Sequence, residues 1–173
     1  MNYFYHGVPN KLIGNSLMPL CKMKNQDTNL YDLYKSKYTG REEVIKQKIP
    51  LLNCFWDEVV QVLPLNPAKL FNLQLKLGLI SKLPTYSYFK IDPNQLNKDN
   101  AVIYFKTAPG DQNVVVKWLK DVNLDSMQEV PLATINYYKS LVGTKETVFN
   151  YQFVPHVLYK GCINIPKSKI FYI

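Results

Sequence analysis

Imidazole is the side chain whose ordinary titration falls between pH 5 and 8, and this 173-residue chain has two. His6 sits in Tyr-Phe-Tyr-His-Gly, where Gly7 removes the side chain that would hold a ligand or a second backbone away. His156 sits in Phe-Val-Pro-His-Val-Leu. If the strands carrying them are neighbours, both side chains line one cleft. Each also fits a strand-end histidine bonded to its own backbone. Arg41 is the one arginine beside twenty lysines. Its planar fork suits a carboxylate or a phosphate, and it stands where a helix is predicted to begin and anions are favoured. A salt bridge on a helix face accounts for it equally. Asp57 and Glu58 follow Trp56 in an apolar stretch. One of them fits a buried acid of raised pKa, and the pair also fits the solvent edge of a helix.

Other chemistries lack their residues. Seven scattered glycines form neither GxxxxGK[ST] nor GxGxxG, and no serine lies in a Gly-x-Ser-x-Gly elbow. Cys21, Cys54 and Cys162 are far apart with no CxxC pair, so a structural zinc site is not expected. The thiols read as free, which suits a reducing cytoplasm. No apolar run reaches the roughly 18 residues of a membrane span, and the start lacks the pattern of a signal peptide. The net charge of +8 comes almost wholly from scattered lysine. So little arginine argues against base-specific nucleic-acid readout, while a diffuse attraction to anions remains open.

The elements that position these residues are expected to form one α+β domain over residues 1–173, without repeats or a dividing linker. The first strand is Asn2–His6. Leu30, Leu33, Tyr34 and Tyr38 recur at helical spacing up to Gly40. Thr39-Gly-Arg-Glu42 has the form of a capping box, predicting a helix that starts at Arg41 and ends before Pro50. Leu51–Val62 reads as a buried third helix, and Asn66-Pro67 opens a fourth that closes at Gly78. A helical lobe over about residues 29–78 therefore packs on a mixed or antiparallel sheet built from the first strand and the C-terminal half. After Gly78 the pattern alternates. Thr85–Ile91, Ala101–Lys106, Thr147–Phe153, His156–Tyr159 and Ile170–Ile173 read as strands, and Val114–Leu119 fits a strand by its valines or a helix by Val-Lys-Trp-Leu-Lys-Asp-Val, the strand being the reading taken. Ala108-Pro-Gly-Asp111 reads as a turn, and a helix from Pro131 presents Leu132, Ile135, Tyr138 and Leu141 as its apolar face.

Two resemblances follow from these motifs. Tyr38-Thr-Gly-Arg-Glu-Glu43 with Ile49-Pro-Leu-Leu-Asn-Cys-Phe-Trp-Asp57 resembles a group of uncharacterised bacterial proteins, which implies no activity. The two ends of the chain resemble the ADP-ribosyltransferase fold. There a His-Gly pair on the first strand, here His6-Gly7, contacts the nicotinamide ribose and amide of NAD. A late strand of the form Glu-Val-Leu-Val-x-Gly-x-Ile carries the catalytic Glu. This chain reads His-Val-Leu-Tyr-Lys-Gly-Cys-Ile at 156–163, with His156 in place of that carboxylate. The resemblance implies NAD or another nucleotide as ligand, held by His6, Gly7, Arg41 and His156, with transfer activity in doubt. A non-enzymatic protein-interaction module, an effector or defence component with a Tyr- and Phe-rich surface, is the alternative. Weak, non-specific nucleic-acid binding through lysine is a third.

Overall fold

The computed structural model describes residues 2–110, 113–165 and 169–173. In chain order, β1 (Phe4–Gly7), β2 (Ser16–Leu17), α1 (Leu20–Met23) and α2 (Thr28–Lys35) lead to β3 (Lys48–Ile49), β4 (Cys54–Phe55) and β5 (Val60–Val62). Then come α3 (Pro67–Lys76), β6 (Ser87–Ile91), β7 (Ala101–Lys106), β8 (Val114–Trp118) and α4 (Leu132–Leu141). The chain closes with β9 (His156–Tyr159), β10 (Ile163–Asn164) and β11 (Ile170–Tyr172). The class is α+β, with helices packed on antiparallel sheets.

Local signals explain the helices. Asp27 caps α2 by accepting from Leu30 N at 2.9 Å, and Asn66 caps α3 by accepting from Ala68 N at 3.0 Å. Pro67 occupies the first turn of α3, whose buried residues Pro67, Leu70, Phe71 and Gln74 fall on one stripe. Gly78 ends it at φ +72°, a left-handed conformation suited to glycine.

The segment expected to be a third helix, 51–62, is not one. Lys48–Ile49 pairs with Cys54–Phe55 around a turn in which Leu51 and Asn53 take positive φ (68° and 46°). A 3-10 turn over Trp56–Glu58 follows, and then β5. Burial alternates through it: Leu52 and Cys54 are buried, while Leu51 and Phe55 are about half exposed. So dense an apolar run satisfies both periods, and pairing partners elsewhere decide. The predicted helix from Arg41 shrinks to a 3-10 turn over Glu42–Lys46.

Residues 147–153, expected as a strand, are irregular over 147–149 and turn over 150–153, with Phe153 at φ +62°. Side chains of α4 hold this backbone in place of a ladder. Thr134 Oγ1 donates to Gln152 O at 2.9 Å, Tyr138 OH donates to Asn150 O at 2.5 Å, and Phe149 N donates to Tyr137 OH at 3.0 Å. The buried stripe of α4 is thus Thr134, Tyr138 and Leu141, and Leu132 is 70% exposed. Of the turn expected at 108–111, Asp111 lies outside the described residues.

Two main sheets organise the molecule. One runs β11–β6–β1 and the other β5–β9–β7–β8, all antiparallel. The first strand and the last therefore share a sheet, as expected, but β9 belongs to the other. Outside the ladders, Tyr5 N donates to Leu63 O (2.8 Å) and Leu63 N to Tyr5 O (2.7 Å), joining the sheets edge to edge at one residue pair. A buried cluster fills the face they share, with Phe4, Phe89 and Ile91 from one sheet and Val60, Val62, Ile103 and Val157 from the other. The opposite face carries a second cluster around Tyr5, Leu65, Phe71 and Tyr88, and a third around Val59, Val102 and Leu158.

Candidate functional site

Beyond the Tyr5–Leu63 pair, β1 and β5 part. His6 and Gly7 stay with β6, opposite Phe89 and Tyr88, while Gln61 and Val60 stay with β9, opposite Leu158 and Tyr159. A cavity of about 780 Å³ occupies this split and extends under α1 and α2. Its walls include His6, Gly7 and His156 together.

Strand register shows how. His6 alternates with Tyr5 and falls on the face of Phe4, the face of the shared core. Continuing the β5–β9 register by one step sets Leu63 beside His156, so His156 shares the face of Tyr5. The two imidazoles approach from opposite faces, and only the split lets one cavity reach both.

Each imidazole is fixed by its backbone. His6 Nδ1 lies 2.7 Å from Gly7 O, and His156 Nδ1 lies 2.9 Å from Val154 O. A carbonyl only accepts, so each Nδ1 carries the proton, and each neutral ring keeps an acceptor lone pair on Nε2. Burial pushes both pKa values below the ordinary histidine value. The carbonyl bonds oppose that shift, and at His6 the charge of Lys37 adds to it. At neutral pH both rings are uncharged.

Around His6 the cavity is basic. Lys37 lies over the Tyr34 ring, with Nζ 4.4 Å from its centroid, and desolvation holds its pKa down. Lys11 also lines the cavity but is paired with Asp27 at 2.9 Å. Around His156 the cavity is aromatic and polar. Tyr151 meets the imidazole edge-on at 6.3 Å between centroids, and its hydroxyl is 2.7 Å from that of Tyr88. Burial pushes both phenols up, keeping them neutral donors and acceptors. Among the described residues, no aspartate or glutamate lines the cavity.

Gly7 contributes open space. A Cβ there would meet no atom within 4 Å, so the fold itself does not demand glycine. Arg41 does not line the cavity. Its guanidinium lies over Tyr38, 5.6 Å from the ring centroid, and donates to Lys37 O at 3.1 Å, so it stands behind two wall residues. Asp57 and Glu58 are also outside it. Desolvation raises the pKa of Asp57, and Glu58 accepts from Phe55 N at 2.7 Å. The three thiols form no disulfide, and burial raises the pKa of Cys21 and Cys54. Among the described residues, no group of three or more His, Cys, Asp or Glu is placed to hold a metal ion, and no helix is long and apolar enough to cross a membrane.

Sequence reasoning missed Lys37, Tyr34, Tyr88, Asn150 and Tyr151. Lys37 is one lysine among twenty, and only its place after the Tyr34 turn marks it. Asn150 and Tyr151 fall in the segment misread as a strand. Compared with known proteins, the chain matches no family model, no curated protein and no solved structure.

Proposed function

We propose that the cavity binds a nucleotide-type ligand and does not transfer ADP-ribose. The observation that carries this reading is one cavity of about 780 Å³ lined by both histidines, by Lys37 and by several tyrosines, with no carboxylate among the described residues that line it. Such a volume suits a ligand of nucleotide size. A lysine without a salt-bridge partner among the described residues attracts a phosphate, and tyrosine faces accept a planar base. The resemblance to the ADP-ribosyltransferase fold agrees with this ligand class. Transfer in that family needs a carboxylate beside the ribose to stabilise positive charge, and His156 supplies a neutral ring instead. Glu146 is exposed and is not among the lining residues, so it does not replace that group.

Thermal melting with NAD, ADP-ribose, AMP and other nucleotides tests the reading. A ligand bound only by the folded state adds about 2.7 kcal/mol at a hundredfold excess over Kd. We expect a raised melting temperature for wild type, loss of that rise in His6→Ala and Lys37→Ala, and little change in their ligand-free melting. Arg41→Ala should keep most of the rise. If no nucleotide shifts the wild-type melt, the reading fails and the protein-interaction alternative takes its place.

A further inference from the structure

We infer that the His156 end of the cavity reads an amide edge, a carbonyl beside an N–H, through a donor on Asn150 and an acceptor on His156; this deepens the proposed nucleotide site and rests on it. The argument follows hydrogen bonds outward from the buried core. Tyr138 OH donates to Asn150 O at 2.5 Å. With its proton so placed, the phenol oxygen accepts, and Gln74 Nε2 donates to it at 2.9 Å. That fixes which end of the fully buried Gln74 amide faces Tyr138. The same Nε2 reaches Asn150 Oδ1 at 3.3 Å. The Asn150 oxygen is thereby engaged toward the core, and its Nδ2, with two donors, is the free end of a residue that lines the cavity.

His156 supplies the complement. Its Nδ1–H is held by Val154 O, so Nε2 is the acceptor it offers. Tyr151 connects the two, being next to Asn150 in sequence and edge-on to the imidazole. A donor and an acceptor lining one cavity, beside tyrosine rings, match a planar amide: the lactam of an oxo-nucleobase or the carboxamide of a nicotinamide. An amino-substituted ring such as adenine presents the reverse pattern at that edge, and a carboxylate offers no donor. Gln74 and Tyr138 touch no ligand in this scheme. They are positioning residues that fix the polarity of Asn150.

Isothermal titration with two ligand pairs tests the inference: inosine monophosphate against AMP, and nicotinamide mononucleotide against nicotinic acid mononucleotide. We expect the amide-bearing member of at least one pair to bind tenfold or more tightly, because a site with fixed polar groups rejects a partner that leaves them unpaired. The pair that discriminates identifies the source of the amide. Asn150→Asp keeps an oxygen facing Gln74 but turns the cavity-facing donor into an acceptor, and should abolish or invert the preference. Tyr138→Phe should shrink the ratio of affinities more than the affinities themselves. Equal binding of both members of both pairs to wild type overturns the inference while leaving the nucleotide reading intact. An unchanged ratio in a folded Asn150→Asp does the same, and should that variant not fold, the wild-type pairs decide alone. If no member of either pair binds, the nucleotide reading itself has failed.

Discussion

At each histidine a backbone carbonyl settles the tautomer, and burial settles the charge. Both imidazoles are less basic in the folded chain than their ordinary value of 6.5, so the unfolded chain takes up protons first as pH falls. Their contribution is therefore fully present above about pH 6.5 and declines below it, through the window down to the folded values. Melting temperature measured from pH 7.5 to 5 should fall less steeply in His6→Gln and His156→Gln than in wild type. Parallel profiles would mean that neither ring is desolvated. Gly7 gives a second test at this scale. A Cβ there meets nothing within 4 Å, so Gly7→Ala should leave the ligand-free melt unchanged or slightly higher, since alanine restricts the unfolded chain. It should weaken nucleotide binding if the ligand uses that space, and undiminished affinity would move the ligand away from β1.

The elements show where one-dimensional pattern suffices and where it does not. α3 was legible at both ends because Asn66, Pro67 and Gly78 act locally, through caps and a left-handed turn. The strand Ala101–Lys106 was legible in full, and His156–Tyr159 with it. The stretch 51–62 was not, because Leu52, Cys54, Val59, Val60 and Val62 fit helical and strand periods alike, and the choice rests on pairing with β3 and β9. For 147–153 the deciding partners are hydroxyls of α4, which no local pattern contains. In the candidate site, His6, Gly7 and His156 were visible by residue type, whereas Lys37 and Asn150 gain meaning only from the split between sheets. Thiol labelling checks the revised hairpin: Cys162 is exposed, Cys21 half-buried and Cys54 buried on β4, so native labelling should proceed in that order. Cys54 reacting first would contradict the β3–β4 packing. Leu158, fully buried on β9 between β5 and β7, should cost about 2–5 kcal/mol when cut to alanine, read by denaturant unfolding. A loss under about 1 kcal/mol would mean the third cluster is loosely packed.

At the scale of the molecule, the two main antiparallel sheets meet, among the described residues, at the Tyr5–Leu63 pair, and the cavity lies where they part. His6 comes from one sheet and His156 from the other, on opposite faces, so a ligand that fills the split touches both rings at once. An interaction surface on the outside of the fold would leave both unaffected. Nitrogen-detected NMR of the two imidazoles, at constant pH, during titration with whichever of NAD, ADP-ribose, AMP and inosine monophosphate most raises the melting temperature reads this most directly. The expected result is that the Nε2 resonances of His6 and His156 both shift and follow one saturation curve with a single Kd. Movement of one ring alone, or of neither up to millimolar ligand, would contradict a nucleotide-binding cavity that joins them.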